Sequence, residues 1–106
     1  FLLVKRESPG FIVNRILIPY INEAIFIYGE GKAGRDEIDL AMKLGAGMAE
    51  GPLEMADKIG LDTIQSVLEV FFNEFKDTKY RSHPLFSTMI RAGYLGKKSG
   101  RGFYKY

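Results

Sequence analysis

Ser8-Pro9-Gly10-Phe11-Ile12-Val13-Asn14-Arg15-Ile16-Leu17-Ile18-Pro19-Tyr20-Ile21-Asn22-Glu23-Ala24-Ile25-Phe26-Ile27-Tyr28 is the stretch that decides the fold. Ser8 followed by Pro9 is a helix start: the serine oxygen accepts an orphan backbone N–H, and proline at the first helical position forfeits no hydrogen bond. Beyond it, only Asn14, Arg15, Pro19, Asn22 and Glu23 interrupt an apolar run. At about 100° per residue, Asn14, Asn22, Arg15 and Glu23 fall in that angular order on one half of the helix. A helix this apolar is buried on several sides. It belongs at the centre of a helical domain or of a dimer, with one polar strip aimed at something. Pro19, in mid-helix, predicts a kink or a local break.

Composition bounds the rest. With 106 residues the chain is one domain at most, and 46% hydrophobic, 13% aromatic and 26% charged residues are ordinary for a soluble globular protein. Fifteen basic against thirteen acidic residues give a net charge of +2, too small to argue for nucleic acid, although Lys97, Lys98, Arg101 and Lys105 crowd the end. The absence of cysteine excludes a disulfide scaffold and a thiolate nucleophile, and points to a cytoplasmic setting. The charges in the longest helix argue against a membrane span, which needs roughly 20 mostly apolar residues. The chain opens on Phe1-Leu2-Leu3-Val4 without an initiator methionine, as if cut from something longer.

Outward from the first helix, residues 1–7 read as the end of a strand or a linker. Gly29-Glu30-Gly31-Lys32-Ala33-Gly34 stops the helix, and Arg35 to Leu44 forms a second, with Asp36 and Glu37 in its first turn. Gly45-Ala46-Gly47 ends that one, and Gly51-Pro52 opens a short third helix closed by Gly60. Asp62 reads as the N-cap of a fourth helix running to about Lys76, and Pro84 as the first residue of a fifth, stopped by Gly93. The tail, Tyr94 to Tyr106, reads as a short β-ribbon or an irregular turn that packs its rings on the helices. The fold class is all-α, about five helices around the long first one.

Few residues offer chemistry. His83 is the only histidine and sits in a polar turn with no carboxylate to orient it, so a solvated turn or a helix cap is the reading. With no second histidine and no cysteine, no usual zinc site can be assembled, and no metal is expected. Asp36, Glu37 and Asp39 resemble an acid cluster, but helix-dipole compensation explains the first two. Gly45-Ala46-Gly47 follows a helix and lacks the third glycine of a dinucleotide loop. Gly96-Lys97-Lys98-Ser99 is half a phosphate loop without its leading glycine. Asn14 stands out, because a buried amide needs partners. A neighbouring loop could supply them, or a functional site.

Five segments occur in one order: Ser8-Pro9-Gly10-Phe11-Ile12-Val13-Asn14-Arg15; Glu37-Ile38-Asp39 through Met42-Lys43-Leu44-Gly45-Ala46-Gly47; Gly51-Pro52-Leu53-Glu54 with Asp57; Gly60-Leu61-Asp62-Thr63; and Leu95-Gly96-Lys97-Lys98-Ser99-Gly100-Arg101-Gly102-Phe103-Tyr104. Together they resemble the C-terminal domain of 3-hydroxyacyl-CoA dehydrogenases of the 3-hydroxybutyryl-CoA type. The resemblance implies the helical fold seen in 6-phosphogluconate dehydrogenase C-terminal domains, with residues 1–7 as interdomain linker and 8–106 as the substrate-binding and dimerisation domain. It also implies an N-terminal NAD-binding domain lying outside this chain, with no cofactor site here.

The activity implied is oxidation of (3S)-3-hydroxyacyl-CoA to 3-ketoacyl-CoA, in β-oxidation or butanoate metabolism, by a homodimer using a histidine and glutamate that this chain lacks. His83 does not match that histidine. Asn14 matches the family's asparagine that orients the substrate oxygen and the catalytic imidazole. Met48, Pro52 and Leu53 lie where the acyl pocket is expected, and Met48-Ala49-Glu50 departs from the Tyr-Pro-Met of many relatives. A free-standing helical dimerisation module is the alternative. Neither nucleic acid nor membrane is expected as a partner.

Overall fold

A computed structural model describes residues 9–106, the side chain of Pro9 excepted. The linker reading of residues 1–7 and the Ser8 cap lie outside the described residues. Five α-helices follow: α1 (Pro9–Gly29), α2 (Arg35–Ala46), α3 (Pro52–Ile59), α4 (Leu61–Phe75) and α5 (Leu85–Arg91). Single turns of 3₁₀-helix cover Thr78–Tyr80 and Lys97–Ser99.

The long first helix is the centre of the domain, as its composition demands. Ile18, Ile21 and Ile25 are closed to solvent and pack with Leu53 and Ala56 of α3 and Leu61, Ile64 and Leu68 of α4. The helix runs unbroken through Pro19, so the local break does not occur. Burying three isoleucines supplies roughly 1.5–3 kcal/mol each. Together they outweigh the roughly 3 kcal/mol that an internal proline costs. By length and composition Gly10–Gly29 is apolar enough to cross a membrane, which corrects the sequence argument that its charges forbid this. Packing inside the domain accounts for the part of that apolar surface that is buried.

Several boundaries differ from expectation for local reasons. Asp62 lies inside the first turn of α4 and not at its N-cap, which is Gly60. The Asp62 side chain pairs instead with Lys98 at 2.6 Å. Pro84 is the N-cap of α5, one position before its first residue. His83 provides the cap expected of it: its Nδ1 accepts the Leu85 N–H at 2.9 Å, and its ring stands edge-on to Phe26. Gly29 leaves room for that ring, because a Cβ there would come 2.5 Å from His83 Cε1. The tail is the irregular turn, with only isolated bridges pairing Gly96 with Arg101 and Arg101 with Lys105. Phe103 from the tail is buried against Tyr28, ring centroids 5.4 Å apart.

Candidate functional site

The polar strip of α1 divides in two. Asn14 and Asn22 are buried on the side that carries Ile18, Ile21 and Ile25, whereas Arg15 and Glu23 are exposed. Asn22 is structural: its amide nitrogen donates to the Arg81 carbonyl at 2.9 Å, and its oxygen accepts the His83 N–H at 3.4 Å. Arg15 lies 4.1 Å over the Phe75 ring and donates from Nε to the Tyr80 hydroxyl at 3.1 Å. Asn14, 5% exposed, is the residue of the strip that the Phe11-Ile12-Val13-Asn14-Arg15 segment singles out for work beyond the fold.

The opposite side of α1 is open and apolar. Ile12, Val13 and Ile16 are 58%, 53% and 69% exposed. With Leu17, Tyr20 and Met48 they line a groove of about 400 Å³. Asn14 faces the core and Met48 faces the groove, so α1 itself stands between them. Pro52 and Leu53 are fully buried. Both pack at the start of α3 inside the domain, and neither lines the groove on α1. Of the four residues singled out in the sequence, Met48 is the one that lines this groove.

Two buried carboxylates, to which the sequence reading gave no role in the site, are tied together through the tail. Asp39 of α2 is 3% exposed and Asp57 of α3 is 1% exposed, and among the described residues neutral groups donate to both. Asp39 Oδ1 accepts the Leu53 N–H at 2.8 Å, while Oδ2 accepts the Glu54 N–H at 3.1 Å and the Tyr104 O–H at 2.6 Å. Asp57 Oδ1 accepts the Phe103 N–H at 2.8 Å, while Oδ2 accepts the Tyr104 N–H at 3.0 Å and the Tyr106 O–H at 2.7 Å.

Each carboxylate thus satisfies orphan backbone donors, as a buried polar group must. Desolvation raises the Asp39 carboxyl above its ordinary range despite these bonds. Desolvation and the facing aspartates push both tyrosine hydroxyls well above theirs. The donors are structural, and on the Asp39 side an open cavity of about 300 Å³ is lined by Asp36, Asp39, Leu40, Lys43, Glu54 and Tyr104. The glycines of the tail answer to the same need, since a Cβ at Gly102 would overlap the Asp57 carboxylate and one at Gly96 the Asp57 backbone.

Gly45-Ala46-Gly47 is not a dinucleotide loop. It lies at the C-terminal end of α2, where Gly47 takes a left-handed φ of 69° as C-cap. Pyrophosphate needs a helix N-terminus after a strand, and a helix C-terminus presents carbonyls that repel it.

Comparison with known proteins resolves what the geometry leaves open. The family model described as 3-hydroxyacyl-CoA dehydrogenase, C-terminal domain, matches residues 10–106. The chain belongs to this family.

Relatives of this dehydrogenase domain are close. The 3-hydroxybutyryl-CoA dehydrogenase of Clostridioides difficile is 57% identical over 100 residues, which is 94% of this chain and 36% of that protein. The mitochondrial hydroxyacyl-coenzyme A dehydrogenase of Sus scrofa is 41% identical over 102 residues, 95% of this chain and 32% of that protein. The crystal structure of (S)-3-hydroxybutyryl-CoA dehydrogenase from Ralstonia eutropha superposes with a TM-score of 0.88 at 57% identity, over 93% of this chain and 35% of that one. The chain spans about a third of the length of the relatives it matches. It is a helical member of the 3-hydroxyacyl-CoA dehydrogenase C-terminal domain family, and the all-α expectation holds. The signal for Asp39 and Asp57 was present in the sequence, as acids inside two of the five segments, but nothing in their spacing says that their tail partner, Tyr104, lies 65 and 47 positions away.

Proposed function

We propose that this domain is the acyl-CoA side of an NAD-dependent dehydrogenase that oxidises (3S)-3-hydroxyacyl-CoA to 3-ketoacyl-CoA, with NAD and the base catalyst supplied by the rest of the parent protein. The observation that carries this is the family match over 10–106 together with 57% identity to a 3-hydroxybutyryl-CoA dehydrogenase. Within the domain the working residue is Asn14. Its place in Phe11-Ile12-Val13-Asn14-Arg15 supports the role, as does the chemistry of a neutral amide. It donates to a developing keto oxygen without adding a second titrating group. Burial holds the carboxamide in one orientation, which such positioning requires.

The open face of α1 has a different task. Ile12, Val13 and Ile16 are an apolar surface pointing away from Asn14, and we assign it to a second copy of the domain, giving a homodimer. Exposed apolar patches of this kind mark protein contacts. The full-length parent, given (3S)-3-hydroxybutyryl-CoA and NAD, should produce NADH, while residues 1–106 alone should produce none. Turnover by residues 1–106 alone, or none by the parent, would contradict the assignment. Sedimentation of the parent tests the face: Ile16→Lys should shift a dimer toward monomer, and an unchanged dimer would remove the face from the interface.

A further inference from the structure

Tyr104 acts on a part of the fold distant from it in sequence. Its O–H is bonded to the Asp39 oxygen that also takes the Glu54 N–H, so one carboxylate joins the tail, α2 and the N-terminus of α3. Asp39 thereby does from a neighbouring helix what an N-cap side chain does locally. Gly51, the N-cap residue, has no side chain of its own, and a Cβ there would overlap the Asp39 side chain. The corner from Gly47 to Gly51 hangs between these two helices and carries Met48 into the groove on α1.

Its other ties are lighter. The Met48 N–H reaches the Met42 carbonyl at 3.2 Å, the Gly51 N–H donates to Glu54 Oε1 at 2.9 Å, and the ion pairs Lys43–Glu54 and Lys58–Glu50 are half-exposed, where such pairs contribute little. Tyr104, in contrast, is pinned from several sides. Its N–H is held by Asp57, and Arg35 lies 4.9 Å over its ring.

We propose that Tyr104 is the positioning residue of the Met48 corner: by holding Asp39 against the first turn of α3 it fixes Met48 against α1 and sets the shape of the apolar groove. The occupant of that groove rests on the dimer reading above; the positioning does not. Tyr106 supplies the control, since it makes the same kind of bond to Asp57, which does not cap α3.

In the full-length protein, Tyr104→Phe keeps the ring on Arg35 and removes only the hydroxyl. Both Tyr104→Phe and Tyr106→Phe should lower the melting temperature by similar amounts. Only Tyr104→Phe should speed hydrogen exchange at the Leu53 and Glu54 amides, tenfold or more, and move the methyl resonance of ¹³C-labelled Met48. Unchanged exchange and an unmoved Met48 resonance in Tyr104→Phe, or equal changes in both variants, would overturn the proposal. A moved Met48 resonance with unchanged self-association upholds the positioning and removes the second copy from the groove.

Discussion

A Cβ on Gly51 would overlap the side chain of Asp39, because the carboxylate occupies the space where an N-cap side chain would stand. Gly34 makes an instructive contrast. It is the N-cap of α2 with nearly the same backbone, φ −80° and ψ 166° against −76° and 160° for Gly51, and nothing lies within 4 Å of its notional Cβ. Gly34→Ser should add a cap and restrict the unfolded chain, stabilising by about 0.5–1 kcal/mol. Gly51→Ser should displace Asp39 and leave buried donors unpaired, costing about 3 kcal/mol or more. Thermal denaturation separates the two, and equal effects would contradict the cap from α2.

Tyr20 lines the groove, yet its hydroxyl is buried and has no partner among the described residues. Desolvation, with Asp39 nearby, raises its pKa. An unsatisfied buried hydroxyl costs about 1–3 kcal/mol, and removing it restores that cost. Tyr20→Phe should therefore leave stability unchanged or raise it by about 1 kcal/mol in urea denaturation. A loss larger than this would reveal a partner.

Asp39 and Glu54 sit side by side at the start of α3 and should respond to pH with opposite signs. The hydrogen bond from Lys43, then the Gly51 N–H, lower the Glu54 carboxyl from 4.5. Its contribution is present above that value and is lost as pH falls through the lowered one. Burial raises the Asp39 carboxyl from 3.8, so its ionisation opposes folding, and its own contribution grows as pH falls from the raised value toward 3.8. Stability measured from pH 7 to about pH 3 should show Glu54→Gln flattening the acid loss. The same slope in Glu54→Gln and the parent would contradict the Lys43 assignment.

Periodicity and glycine punctuation made the five helices legible, because both act over a few residues. Asp39, Asp57 and the tail were not legible, because their partners are brought together only by the packing of α2 on α3. Even the polar strip of α1 was half misleading. Its angular order was sound, but which edge turns inward depends on α3, α4 and the 81–83 turn, and Asn22 proved to serve that turn. Pro52 and Leu53, placed near a ligand by resemblance, are buried at the start of α3. Asn14 keeps its candidacy through its motif, not through a pocket.

The most direct test is the oxidation of (3S)-3-hydroxybutyryl-CoA by the full-length parent carrying Asn14→Ala, with NAD affinity and melting temperature measured on the same preparation. Loss of one amide donor to a developing oxyanion should lower kcat by about 10²–10³, with NAD affinity nearly unchanged and the protein still folded. Turnover equal to that of the parent, in a folded variant, would contradict the assignment of this domain's Asn14 to the reacting end of the substrate.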